Sequence, residues 1–557
     1  MIKDFHFNTS KNILVLHQED EDRSPTLAIR FPGSNEISTV IDSQFVPQGP
    51  RISPNGKQFA FFGDARIFTY DIETKSTKIL FNQPGDHAGF CEWSPDGKRL
   101  VFSAYGHIEG NRHPPNLYVV DISTGISNRL TFGDYADRFP QWSPCGRYIA
   151  FHRQKIDEPG MPGWVYIMDT LIGSEYPLPK QPDMSFRLSS YCFSKDSTHI
   201  VVTAACKGSS FLRIINLKDL LFTDLVEQEI DGGFFDGQHN LVIVQKRQVL
   251  LYSIITGVKT EPATLPAPIQ LGLTGPIVTP NRDNGVFLFL GSDCSIYTYD
   301  PANSSSTVLL ESKKKTIPYA RREEYWISSL DGKKVPVLRV IPHQPKNKAI
   351  LLVFGGPNGK VDPDFFLVDR FLQEGFEVIM PSYRGKQGYG EEHAKANVGE
   401  LGRADVWDIV ACGQDWKGRF GENQRLFLAG FSYGGFLTML AMARNNVPWE
   451  RGISLWALTR IEYLGAWLPI AYPNDPAEKE QAVLERNPIL QAHHIKTPLL
   501  ILHGGRDTTA TNSDVNEIYR NVTMNGTKCK LIVFDDDTHA LPKNRKQMFK
   551  QIFNFLK

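Results

Sequence analysis

The sequence predicts two domains of different architecture: a seven-bladed β-propeller over residues 1–315 and a mostly parallel, doubly wound α/β domain over 316–557. Three observations predict it. The chain has 557 residues, too many for one hydrophobic core. A two-part motif recurs every 41 to 51 residues through the first 310. Beyond that point the motif stops, and short apolar runs alternate with helix-like segments.

The repeat is carried by RISPNGKQFAFFG (51–63), EWSPDGKRLVFSA (92–104), QWSPCGRYIAFHR (141–153) and CFSKDSTHIVVTA (192–204). Each places an aromatic or apolar residue before Ser-Pro or a relic of it. A turn with Gly or Asp follows, then a β-rich run. Weaker copies occur at FFDGQHNLVIVQ (234–245) and IVTPNRDNGVFLFLG (277–291). A second signature follows several copies, as in RIFTYDIETKSTKIL (66–80), NLYVVDISTGISNRL (116–130) and SIYTYDPANSSSTVL (295–309). It reads as strand, polar turn, strand, the pattern of a hairpin. The period is that of a four-stranded propeller blade. Six copies and a degenerate first unit at about 10–45, containing TLAIRFPGSNEISTV, give seven blades. The competing reading is a set of unrelated β-sandwiches, which need not share both signatures in one order. The propeller histidines, among them His87, His107, His113, His152, His199 and His239, have no metal-ligand spacing.

In the second half, AILLVFGG (349–356), FEVIMPSYRG (376–385), RLFLAG (425–430) and PLLILHGG (498–505) read as buried strands. DFFLVDRFLQEG (364–375) and RADVWDIVACGQDWKG (403–418) read as helices between them. That alternation means a parallel sheet covered on both faces. The boundary is expected near 312–320, in a basic, Pro-containing linker.

Composition excludes several function classes. Sixty-one basic and sixty-one acidic residues cancel, so no global field favours nucleic acid or an anionic membrane. Apolar content of 41% with 22% charged residues is that of a globular protein. The seven cysteines are scattered without a CxxC pair, which predicts reduced thiols and no zinc site. No window reaches the roughly 18 apolar residues of a membrane span, and the N-terminus lacks a signal-peptide pattern. A soluble, cytoplasmic protein with no metal and no organic cofactor is expected.

The chemistry centres on RLFLAGFSYGGFLTMLAMA (425–443), where an apolar run breaks at Gly-Phe-Ser-Tyr-Gly-Gly and a helix-forming segment follows. Gly-x-Ser-x-Gly alone also describes an ordinary Gly-rich turn. Strand, turn and helix in this order make Ser432 the candidate nucleophile of an α/β-hydrolase elbow. Such a serine needs a base and an orienting acid, in chain order Ser, acid, His. His539, in LIVFDDDTHAL near the C-terminus, is the expected base; His493, His494 and His503 are better explained as surface or supporting residues. Asp507 follows the strand LLILHGG and is the expected acid, in preference to Asp535, Asp536 and Asp537 on the histidine's own loop. For the oxyanion hole, one backbone N–H is expected from Tyr433 and another from Gly355 or Gly356 in LLVFGGPNG (351–359).

With these parts assembled, the chain resembles the prolyl oligopeptidase family of serine peptidases, its acylaminoacyl-peptidase and dipeptidyl-peptidase-like branches above all. GFSYGG resembles the family's nucleophile motif, SYRGKQGYG (382–390) its Arg-Gly…Gly-Tyr-Gly stretch and LHGGRD its acid motif. The resemblance implies hydrolysis of short peptides or small acyl substrates, with the propeller excluding folded proteins. Three departures accompany it. Phe354 stands where relatives carry His or Tyr, so the oxyanion hole would use backbone donors. TTAT (508–511) replaces the usual Val-Pro, and Arg506 precedes the acid where some members have an Arg after it. No Glu-Glu pair matches an amine clamp; Glu323 and Glu324 in RREEYW read as a solvated run in the linker. RIEYLGAWLPIAYP (460–473) falls where the family builds its specificity pocket, making Tyr463, Trp467 and Ile470 candidate substrate contacts beside Phe354 and Arg506. Two alternatives stay open: hydrolysis or acyl transfer on a non-peptide ester or amide, and a catalytically silent propeller scaffold. Self-association into a homo-oligomer is left open as well.

Overall fold

The structure, a computed structural model, describes residues 2–557 apart from 9, 20–24, 35, 43–44, 65, 83–86, 109–110, 134, 156–162, 181–183, 207–208, 227–229, 238–239, 246–247, 270, 273–274, 277, 281–285, 302, 312–318, 364, 388, 390, 422–423, 465–470, 474, 508 and 540–542. The chain divides into two compact units, Met1–Lys315 and Thr316–Lys557.

The first unit is a seven-bladed propeller. Its sheets, each of four antiparallel strands in sequential order, span 2–41, 48–81, 87–129, 135–177, 184–226, 232–264 and 278–310. The Ser-Pro motif explains itself at the turn between the first two strands of a blade. The buried Ser94 hydroxyl accepts from the Arg99 N–H at 2.9 Å and donates to Asp96 at 2.5 Å. Ser53, Ser143 and Ser194 do the same for the N–H groups of Gln58, Tyr148 and His199. A side chain thus satisfies a backbone donor that the strand pairing leaves over. The degenerate first blade begins earlier than expected, at Ile2, because its turn is built on Asn8 instead of Ser-Pro. Asn8 Oδ1 accepts from the Lys11 N–H at 2.9 Å, and Asn12 takes the left-handed conformation with φ of 54°.

Strand alternation then closes the ring. Phe59 and Phe61 pack with Val15 and Leu27 of the first blade, while their neighbour Ala60 packs with Leu100 and Phe102 of the third. Because successive side chains point to opposite faces, every blade contributes to two apolar clusters, one with each neighbour. The last of these joins Leu288, Leu290 and Ile296 of the seventh blade to Leu14, Leu16 and Ala28 of the first.

The second unit is built on one sheet of eight strands: β1 (Tyr319–Ser328), β2 (Lys334–Pro342), β3 (Lys348–Val353), β4 (Glu377–Pro381), β5 (Arg425–Phe431), β6 (Gly452–Leu455), β7 (Leu499–Gly504) and β8 (Cys529–Phe534). Their spatial order is 1-2-4-3-5-6-7-8, and all pairings from β4 to β8 are parallel. Along β3, Ala349, Leu351 and Val353 enter one core, shared with α2 (Ala404–Phe420), α3 (Tyr433–Ala443) and α4 (Asn512–Met524). Ile350 and Leu352 enter the opposite core with α1 (Phe366–Gln373) and α5 (Arg545–Phe555). Burial on both faces is why these strands read as unbroken apolar runs.

One expectation needs correction. RREEYW is no linker: it lies inside β1, paired antiparallel with β2. Glu323 pairs with Arg339 at 2.9 Å, and Arg339 also binds Glu377, while Glu324 accepts from the Tyr389 hydroxyl. An edge strand keeps one charged face toward solvent, which makes its sequence look like a solvated run.

Two stability measurements test the propeller. Ser94→Ala strands the Arg99 N–H and should lower unfolding stability by about 1–3 kcal/mol in denaturant titrations. His152 is 4% exposed; burial, helped by the positive charge of Arg138, pushes its pKa from 6.5 down to about 4. Between those values the unfolded chain binds the extra proton and the folded chain does not. Stability should therefore fall as pH drops from 6.5 toward 4, by up to about 1.4 kcal/mol per pH unit for this group. His152→Gln should flatten that slope.

Candidate active site

The site sits where four chain segments converge at the carboxyl ends of β3, β5, β7 and β8. At the end of β5 the backbone turns so sharply that Ser432 adopts φ of 55° and ψ of −126°, a conformation costing about 1–3 kcal/mol for a residue with a side chain. The turn is held by the Ser432 N–H donating to Leu455 O at 3.0 Å and by Phe436 N–H donating back to Ser432 O at 3.1 Å. Glycine is required beside it: a Cβ on Gly434 would strike Val353 O, and one on Gly430 would strike Gly434 O.

His539 faces the elbow. Its Nε2 lies 3.0 Å from Ser432 Oγ, and its Nδ1 lies 2.8 Å from Asp507 Oδ2. The Asp507 side chain is fully buried, and His539 keeps about a third of its surface open. Burial alone would raise the Asp507 pKa. The adjacent imidazole and the hydrogen bonds from His539 and Thr509 outweigh it and hold the carboxyl below its ordinary value. Thr509 supplies two of those bonds, from its N–H at 2.8 Å and its hydroxyl at 2.6 Å, both to Oδ1. With its proton so committed, the Thr509 oxygen faces His539 Nδ1 at 3.0 Å as an acceptor. Asp537, one of the three alternative carboxylates on the histidine's own loop, is turned away: it accepts from the N–H groups of Lys543 and Asn544.

Backbone donors complete the arrangement. Among the described residues, no acceptor takes the N–H of Tyr433, Gly355 or Gly356. The Gly355 backbone lies against the elbow, since a Cβ there would come within 2.9 Å of Ser432 Cβ. The Tyr433 side chain is buried and anchored through its hydroxyl to Asp405 at 2.6 Å. Burial pushes the Asp405 carboxyl up to about 7.

The remaining expected contacts are placed differently. The Phe354 ring is buried against Phe365 and Phe431, so it presents little surface to a substrate. Tyr463 is half-buried with its hydroxyl on Asp514, which also binds Arg460. Arg506 is exposed, and its N–H donates to Asp537 O. Trp467 and Ile470 lie outside the described residues. His503 is buried in β7, and burial lowers its pKa; His493 and His494 are exposed. Sequence reasoning did not single out Thr509, Asp405, Tyr383 or Lys386.

With this geometry in place, comparison adds a family. Residues 363–557 match the prolyl oligopeptidase family model. This segment is a prolyl oligopeptidase family domain. The chain is also 24% identical to an uncharacterized peptidase, YuxL, of Bacillus subtilis, over 89% of this chain and 74% of that protein. It is 23% identical to the acylamino-acid-releasing enzyme of Rattus norvegicus, over 91% of this chain and 72% of the other. Among solved structures, a puromycin-hydrolyzing peptidase of Mycobacterium tuberculosis superposes with a TM-score of 0.76 at 16% identity, covering 99% and 93% of the two chains. The family match makes this segment a serine hydrolase domain of the prolyl oligopeptidase type, and the structural likeness shows a shared fold. No helix of the described residues is long and apolar enough to cross a membrane.

Thr509→Val tests the orienting shell. Losing one hydroxyl bond to Asp507, worth about 1–2 kcal/mol, should slow labelling of the protein by a fluorophosphonate about 5- to 30-fold. An unchanged rate would show that Asp507 needs only its two other contacts.

Proposed function

We propose that the protein hydrolyses short peptides or acylated peptides through an acyl-enzyme on Ser432. The observation carrying this reading is the single imidazole of His539, within hydrogen-bonding reach of both Ser432 Oγ and Asp507. His539 Nε2 takes the hydroxyl proton as Oγ attacks the carbonyl, then gives it to the leaving amine. Asp507 fixes the tautomer that leaves Nε2 free to accept and stabilises the imidazolium that forms. The Tyr433 N–H and the N–H of Gly355 or Gly356 receive the negative charge that develops on the carbonyl oxygen. Water then attacks the acyl-enzyme by the same steps in reverse, with His539 as its base. Backbone donors carry the oxyanion because Phe354 offers none.

The test joins mapping to substrate choice. A fluorophosphonate adduct should map to Ser432 and vanish in Ser432→Ala, and the wild-type protein should release amine from peptide anilides but not cleave folded proteins. Cleavage of simple esters alone would replace the peptidase reading with a non-peptide hydrolase. A well-folded protein that takes no adduct would leave the scaffold reading in its place.

A further inference from the structure

Lys386 is fully buried, and its Nζ is unusual in its partners. It donates to Gly355 O at 2.7 Å and Gly356 O at 2.8 Å, the loop that lies against Ser432. Three residues earlier, the buried Tyr383 hydroxyl reaches Phe354 O at 2.8 Å and Gly356 O at 3.1 Å. Between them, Arg384 is locked by Asp408 on α2 and by Asp331 in the β1–β2 turn. The segment that delivers Tyr383 and Lys386 is therefore rigid.

The carbonyls they hold matter because of peptide planarity. Phe354 O and the Gly355 N–H belong to one peptide unit, as do Gly355 O and the Gly356 N–H. In a trans peptide the two groups point in opposite directions. Holding both carbonyls from the buried side turns both N–H groups away from it. A hydrogen bond to a peptide oxygen also polarises the unit and strengthens its N–H as a donor.

We infer that Lys386 and Tyr383 are positioning residues for the oxyanion hole, aiming and polarising the Gly355 and Gly356 N–H groups from behind. Burial pushes the Lys386 amine down to about 7, with the negative field of Asp405 opposing. A neutral amine still has two hydrogens, enough for both carbonyls, so the tie does not depend on the charge. The inference rests on Ser432 being the acylated residue.

The experiment compares wild type, Lys386→Met, Lys386→Gln and Tyr383→Phe. It measures steady-state kinetics on a peptide anilide and the infrared carbonyl band of an acyl-enzyme trapped with a slowly deacylating activated ester. Lys386→Met keeps the chain length and removes the donor. It should lower kcat about 10- to 100-fold with KM nearly unchanged, as expected for a bond felt mainly in the transition state. The acyl carbonyl band should move to higher frequency, reporting weaker donors. Lys386→Gln, which restores one donor, should recover part of the loss, and Tyr383→Phe should show a smaller effect of the same kind. A loss expressed in KM alone, or an acyl band unmoved in Lys386→Met, would overturn the inference. If Lys386→Met does not fold, Tyr383→Phe decides by the same two readouts. Wild-type protein that does not acylate at Ser432 would remove the underlying reading as well, a result distinct from normal acylation that Lys386 does not influence.

Discussion

Main-chain crowding at the elbow is the constraint on which the rest of the site depends. The start of α3 packs so closely on the end of β3 that no side chain fits at Gly434, and the following loop leaves none at Gly355. Two backbones in direct contact fix the distance between the Ser432 hydroxyl and the N–H groups of the neighbouring loop. The left-handed conformation of Ser432 is unfavourable in isolation. It persists because the bonds to Leu455 and Phe436 and the packing of three parallel strands over-determine it. A mobile serine would need time to find its base, whereas this one is held beside it.

Support for the site comes from layers that do not touch Ser432. Thr509 commits one oxygen of Asp507, leaving the other for His539. Asp405 secures the Tyr433 ring, and with it the peptide unit at the head of α3. The segment 383–386 secures the opposite wall through carbonyls. Asp405 and the 383–386 segment act through backbone elements and Thr509 through the Asp507 carboxylate, which accounts for how many polar side chains surround one partly open imidazole.

Much of this was legible in the sequence, for physical reasons that differ by region. The blades announced themselves because one turn needs one hydroxyl, and Ser53, Ser94, Ser143 and Ser194 recur to supply it. The first blade was blurred because Asn8 fills that place with a different residue. Strands buried on both faces gave apolar runs that no periodicity could hide, while β1, an edge strand with ion pairs, read as linker. Ser432, Asp507 and His539 could be proposed from motif and order alone. Lys386 could not, since its partners are carbonyls, and any residue supplies a carbonyl. Thr509 was noticed only as a departure from a pattern, because its role depends on which way the chain turns after Asp507.

The closing seam of the propeller has a consequence for how the ring fails. Among the described residues, no strand is shared between the first and seventh blades; they meet through Leu14, Leu16, Ala28, Leu288, Leu290 and Ile296, with Arg30 reaching Leu309 O. Parting there breaks no strand ladder and exposes chiefly hydrocarbon. Such an opening leaves amide protection within every blade intact and registers instead as a rise in heat capacity. The ring is thus fastened chiefly by solvent aversion, and cold, which weakens that force, acts on the clasp before it acts on the blades.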